Sequence, residues 1–310
     1  MGVLAGLAAA LAWTVASSLW RGLSTSLNAL QLNGLKNAIA SLLLLPVLVS
    51  IPWSSQPGAW SLLLVSGAIG IAAGDSFYLG ALRRLGTRRT LTVEALSPLM
   101  AAISGLVWMG ESLSTRTWLG AALVTVSVLL VAGQEPPQQT QQADRGRTAQ
   151  LLGLTMALMA VVCGVGGAAL SRSVLLNTEV QPLQSAAIRL LGGLVALLPW
   201  LGLTWKGLPK KRFPKQNIPK VGIPGSKPGD QNQRWRVLRV VIATLLGTNL
   251  GLLLQQTVLQ QLPLAVAITV LSTAPVMALL VASQEGDHPQ RRGLIASVLA
   301  VTGVAVAVLD

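Results

Sequence analysis

Four ionisable side chains lie inside long apolar stretches of this 310-residue chain: Lys36, Asp75, Glu94 and Arg189. A charge at the centre of a bilayer costs at least about 2.5–3.5 kcal/mol on insertion scales, so those found there usually face a cavity or a partner. Asn33, Lys36 and Asn37 fall within an arc of roughly 100° at helical spacing and point broadly one way. Such a face can line a cavity for a polar solute, or carry a lysine that snorkels to the interface. Asp75 sits in Gly74-Asp75-Ser76 with Tyr78 one turn on, and Glu94 lies four residues before Pro98. Burial and a nearby ammonium act in opposite directions on a carboxylate, and their competition suits proton exchange. Asp75 and Glu94 are therefore proton-coupling candidates, with a fixed ion pair to Lys36 as the alternative. The planar guanidinium of Arg189 suits a substrate carboxylate or phosphate; it equally suits an ion pair with Asp75 or Glu94. Thr248, Asn249, Gln255 and Gln256 form a neutral polar set, in which Asn249 and Gln256 share a face. They read as a substrate-lining row or as amide glue between helices. The expected substrate-binding residues are thus Asn33, Lys36, Asn37, Tyr78, Arg189, Asn249, Gln255 and Gln256.

Other chemistries lack residues. With one cysteine, Cys163, and one histidine, His288, neither an intrachain disulfide nor a Cys/His metal site is expected. No catalytic grouping stands out, so the chain is expected to be no enzyme and to use no cofactor or metal. Gly70-x-x-x-Gly74, Gly247-x-x-x-Gly251 and Gly166-Gly167 read as close-packing devices; no strand precedes them, as a phosphate loop would need. Net charge is +13, yet the basic residues gather in loops and at the ends of apolar stretches, as flanks near lipid headgroups do. No aromatic-interleaved basic face accompanies them, so nucleic acid is not an expected partner.

The elements that must hold these side chains are membrane helices. Hydrophobic residues make up 52% of the chain and charged ones 11%, with mean hydropathy +0.62. A soluble fold cannot hide that much apolar surface. Spans of about 20 apolar residues are expected at roughly 2–20, 29–51, 59–82, 88–109, 115–133, 150–171, 182–204, 237–258, 263–283 and 291–309. The first lacks a basic leader and reads as a plain membrane helix. Residues 134–149 form a polar Gln/Pro-rich linker, and 206–236 a basic loop with five prolines. That loop is expected to be flexible or to bind anionic headgroups. Trp20, Trp53, Trp60, Trp118, Trp200 and Trp205 fall near span ends, where indoles anchor at the interface.

The second five spans repeat the first. Gln31, Lys36 and Pro46 reappear 153 positions on as Gln184, Arg189 and Pro199. Gly2 and Arg21 reappear 151 on as Gly153 and Arg172. Gly70, Gly74, Pro98 and Met100 reappear 177 on as Gly247, Gly251, Pro275 and Met277. Leu252 and Leu271 replace Asp75 and Glu94, so the carboxylates belong to one half only. Two like halves around a midplane site are a common build for secondary transporters. The expected units are 1–133 and 150–310, joined by 134–149. Of the 23 Lys and Arg residues, 19 fall to odd-numbered loops and 2, Arg116 and Arg172, to even-numbered ones. The positive-inside rule then puts the odd loops in the cytoplasm and both termini outside.

Tyr78 to Gly133 resembles the EamA repeat of the drug/metabolite transporter superfamily. The matching features are the helix end from Tyr78 to Arg83, Pro98 in the next helix, the Gly110-Glu111 turn, and Gly120 to Ala122 in a Gly-rich fifth helix. Lys36 and Arg189 fit the basic position in the second helix of each copy. The second copy departs: no Gly-Glu follows Pro275, and Glu285 comes 10 residues after it, against 13 from Pro98 to Glu111. The resemblance implies an all-α integral membrane protein of ten helices in two inverted five-helix repeats. It implies transport of a small solute and cytoplasmic termini, against the charge count, and orientation stays open. The expected function is a secondary transporter in the cell (inner or plasma) membrane. It would move a small polar or anionic metabolite by alternating access, by exchange or with a proton. A lipid-linked sugar flippase of the same superfamily and a non-transporting membrane scaffold are the rivals. Homo-oligomer formation is left open, and Glu111 is expected to be a cap or an interfacial residue.

Overall fold

The computed structural model describes residues 1–21, 29–132, 147–205, 233–277 and 291–309. Among them no strand occurs. The helices are α1 (Gly2–Arg21), α2 (Ala29–Leu43), α3 (Leu45–Ser50), α4 (Pro57–Gly67), α5 (Asp75–Glu94), α6 (Ser97–Trp108) and α7 (Thr115–Ala132). The later ones are α8 (Arg147–Asn177), α9 (Pro182–Trp205), α10 (Gln233–Thr244), α11 (Gly251–Gln261), α12 (Leu264–Leu271) and α13 (Arg291–Val308). Two π-helical segments, Ala68–Gly74 and Leu245–Leu250, join α4 to α5 and α10 to α11. They begin 177 positions apart, the shift that relates Gly70 to Gly247.

Seven stretches are long and apolar enough to cross a membrane: Gly2–Leu19, Pro57–Leu82, Thr90–Trp108, Thr148–Asn177, Pro182–Gly202, Val237–Gln261 and Arg291–Val308. Thr115–Leu130 and Leu264–Met277 are apolar but shorter. Leu4, Val107, Leu294 and Val301 are each more than two-thirds exposed. A surface so apolar suits lipid, as expected of a multi-pass membrane protein.

Three expected spans differ in detail. The span expected at 29–51 breaks at Leu44, because Pro46 cannot donate and its ring crowds the preceding turn. Its repeat counterpart Pro199 lies inside α9 without ending it. The span expected at 150–171 extends to α8, Arg147–Asn177, so Arg172 is a helix residue rather than a loop residue. In the third case, helical hydrogen bonding continues from Asp75 to Glu94, across the expected turn. The path nonetheless reverses. Gly74 lies against Cys163, Gly80 against Met156 and Gly153 against Leu85, while Glu111 meets Arg172. The chain therefore runs antiparallel along α8 to Leu85 and is back at the other end of α8 by Glu111. Glu285, His288 and most of the linker and basic loop lie outside the described residues.

Lipid tails are as apolar as leucine, so close contact rather than water exclusion holds membrane helices together. Here helix backbones nearly touch. A Cβ on Gly67 would lie 1.9 Å from the Arg189 carbonyl oxygen, and one on Gly192 2.2 Å from that of Leu64. Gly70 meets Gly167, which seats the first π segment on α8. In the other half Gly247 meets Ala16 and Gly251 meets Trp13 of α1. Gly166, expected to pack with Gly167, faces open space instead. The largest apolar cluster draws on both halves, with Ala9 and Ala101 against Val165, Leu259, Leu264 and Leu271.

Trp60 corrects another expectation. It is buried among Leu63, Val180 and Ile188, and meets Trp53 edge-to-face at 6.2 Å between ring centroids. It is a core residue, not an interfacial anchor. Both chain ends lie with even-numbered loops. Gly2 packs against Gln261 and Leu262, and Arg116 donates to the Leu309 carbonyl at 2.9 Å.

Candidate functional site

The first π segment builds one side of the site. A π turn bonds i to i+5 and leaves carbonyls outside the α ladder, which neighbours must satisfy in lipid. Asn33 does so: its amide donates to the Ile71 carbonyl at 2.9 Å and to Ser76 Oγ at 3.1 Å. Asn37, one turn on, donates to Asn33 Oδ1 at 3.0 Å. Both asparagines are fully buried, so Asn33 braces the segment in this arrangement. Lys36, on the same stretch of α2, reaches Asp75 at 2.5 Å. This is the alternative that the sequence left open for Asp75. The pair is not sealed, since its side chains keep 24% and 39% of their surface exposed. Tyr78 lies within electrostatic reach of both Asp75 and Glu94, and Glu94 within reach of Asp75.

The other side is the seam between α9 and α11. Ser185 donates to Gln256 Oε1 at 2.8 Å, and Arg189, one turn along, donates to Gln255 Oε1 at 3.5 Å. The Arg189 guanidinium lies over Gly70 of the π segment, where a bulkier residue would crowd it. It is also within electrostatic reach of Asp75, so the two halves share one field. Arg189 and Gln256 are buried, yet Arg189 Nε and Gln256 Nε2 have no partner. Asn249, in the second π segment, turns elsewhere: it donates to the Ala40 carbonyl at 3.0 Å and ties α2 to the second half. The expected residues therefore form one group around Lys36, Asp75, Tyr78, Glu94, Arg189, Gln255 and Gln256. Asn33, Asn37 and Asn249 bond to protein partners beside it.

Sequence reasoning missed a second ionic group. Glu111 and Arg172 form an ion pair at 2.6 Å, with side chains 12% and 8% exposed. Glu111, expected to be a cap or an interfacial residue, accepts from the Leu264 backbone N–H at the start of α12 and so acts as a cap, and Arg172, counted with the loops, is buried. One signal was present: Arg172 repeats Arg21, and an isolated charge kept in both copies needs a partner.

A model described as the EamA-like transporter family matches residues 1–133 and 151–309. The chain belongs to the EamA-like transporter family. Among similar proteins is one from Bacillus subtilis (strain 168) named "Uncharacterized transporter YwfM", 29% identical over 107 residues, covering 34% of this chain and 36% of that one. Another, from Sinorhizobium sp, is named "Uncharacterized transporter in cobO 3'region" and is 37% identical over 82 residues, 26% of this chain and 56% of that one. The matches thus span about a third to just over half of those relatives' own lengths. A solved structure described as "Crystal structure of protein" superposes on 99% of this EamA-like chain and 96% of its own with TM-score 0.71. At 18% identity that likeness shows the fold alone.

Proposed function

We propose that this EamA-like chain is a secondary transporter that moves a small anionic or polar metabolite by alternating access. The carrying observation is the α9–α11 seam, where two buried donors, Arg189 Nε and Gln256 Nε2, have nothing to donate to. A buried donor left unmade costs about 1–3 kcal/mol. The acceptor we assign to them is a carboxylate, phosphate or hydroxyl oxygen of the solute. Lys36 and Tyr78 complete the contact from the first half. Asp75 and Glu94 exchange a proton, and protonation of Asp75 releases Lys36 for the solute.

In this reading the chain crosses the cell (inner or plasma) membrane ten times. The seven long stretches are joined by 29–50, 115–130 and 264–277. Two inverted five-helix repeats, 1–133 and 150–310, rock about the site, and the shared register of the π segments supports that division. The basic loop 206–236 lies against anionic headgroups on the cytoplasmic side.

The test is flux through purified protein in proteoliposomes against a metabolite panel, with and without a pH gradient. Lys36→Ala and Asp75→Asn should each cut flux about tenfold or more at unchanged expression, the worth of one charge-assisted contact. Asp75→Asn should also abolish any gain from the gradient. Intact flux in both variants would move the site elsewhere.

A further inference from the structure

The ion pair between Glu111 and Arg172 is built into a larger clamp. Gly110 turns the chain after α6 with φ +65°, a conformation that favours glycine. The Glu111 N–H then bonds back to the Gly105 carbonyl at 3.0 Å. One carboxylate oxygen accepts from Arg172 Nε and the other from the Leu264 backbone N–H at 2.9 Å. Arg172 also donates to the Leu259 carbonyl. Gly105 leaves the carboxylate its room, since a Cβ there would stand 2.6 Å from Oε2. A single side chain of the first half, Glu111, thus holds α8 and the start of α12 in the second, and Arg172 carries the tie on to the end of α11. All of these points lie at the face of the even-numbered loops, beside Gly2 and Leu309.

We propose that Glu111 and Arg172 are the gate of this face, closed in this structure, and that they part when the face opens to the solute. The inference rests on the alternating-access reading above. Three features favour a gate over a plain brace. The clamp crosses between the halves, which must move against each other. It hangs on α12, which is only eight residues long, buried throughout, and followed by a break at Ser272 and Thr273. A carboxylate at a helix N-terminus is attracted by that helix, so releasing Glu111 releases α12. The third feature is the choice of charge. Apolar packing would hold a permanent brace as well or better. Separated charges, unlike separated apolar faces, are stabilised by the water that enters an open vestibule, so the closed and open states stay close in free energy.

Solute-free labelling separates this inference from the transport reading. The full chain carries Cys163→Ala and a reporter, Gln256→Cys, one turn before Leu259 and fully buried. It is reconstituted in proteoliposomes and treated from each side with a membrane-impermeant sulfonate methanethiosulfonate. The parent should label slowly from the even-loop face. Glu111→Gln and Arg172→Gln should each raise the rate from that face about tenfold by shifting the population open. The double variant should go no faster, because either change opens the same gate. Arg172→Lys, which keeps the charge, should fall between and carries the test if the others fail to fold. Unchanged rates in folded variants, or an equal rise from both faces, would overturn the gate. Since no solute is present, these outcomes do not depend on which metabolite is carried.

Discussion

Arg189→Met should lower flux about a hundredfold, an effect of about 2.7 kcal/mol, while the unfolding midpoint in detergent stays level or rises. Arg189 is only 3% exposed. Its bond to Gln255 is at the long limit, 3.5 Å, and its Nε donates to nothing. Asp75 attracts it from a distance but is already held by Lys36. The guanidinium has therefore given up hydration and recovered only part of it from the protein. Replacing a poorly compensated buried charge with an apolar side chain of similar volume is often neutral or stabilising. A residue that burdens the fold and serves the solute should show this split between stability and activity. Arg189→Lys keeps the charge but loses the planar fork, and should retain flux above that of the methionine variant. Flux per folded molecule and thermal midpoint are measured side by side. A methionine variant that unfolds while its folded fraction still transports would make Arg189 structural.

Gly67→Ala should destabilise the fold by about 3 kcal/mol or more, the upper range for overpacking. The added carbon would sit 1.9 Å from the Arg189 carbonyl oxygen. That atom belongs to a helix backbone and cannot swing aside as a side chain can. Gly192 repeats the contact one turn along α9, against the Leu64 carbonyl at 2.2 Å. Relief at one point of the seam is thus blocked at the next, and α4 must withdraw from α9 as a unit. Gly58 is the control: a methyl there meets nothing within 4 Å. Gly58→Ala should keep the parent midpoint, and Gly67→Ala should lower both the midpoint and the monodisperse yield on size exclusion. A parental midpoint for Gly67→Ala would refute the close approach of the two helices.

The residues that announced themselves in the sequence did so by being expensive. Lys36, Asp75 and Arg189 could be singled out because charge deep in apolar sequence demands a reason. Glu111 and Arg172 escaped for the converse cause: near a span end, snorkelling explains a charge cheaply, and their pairing depends on how α6 and α8 lie together. Trp60 escaped likewise, since a tryptophan near a span end fits an interface as readily as a core. Pro46 and Pro199 occupy equivalent positions, but only Pro46 sits in the first turn of a new helix, just after a break, while Pro199 lies inside α9. What surrounds a proline decides that, and the local sequence does not carry it. The glycine rows foretold close packing, and Gly70, Gly74, Gly167, Gly247 and Gly251 show it. Which partner each would touch required the fold.

The π segments also set a phase. Each residue of an α-helix turns the next by about 100°, so a wide turn slipped into a helix swings everything beyond it around the axis. Asp75 and Tyr78 come directly after Ala68–Gly74, and their bearing toward Lys36 is measured from that offset, not from the wheel of α4. Because Leu245–Leu250 introduces its own offset in the matching register, Gln255 and Gln256 are rotated in step with their counterparts. A helical wheel drawn straight through either segment would miss that offset and give these side chains the wrong bearing.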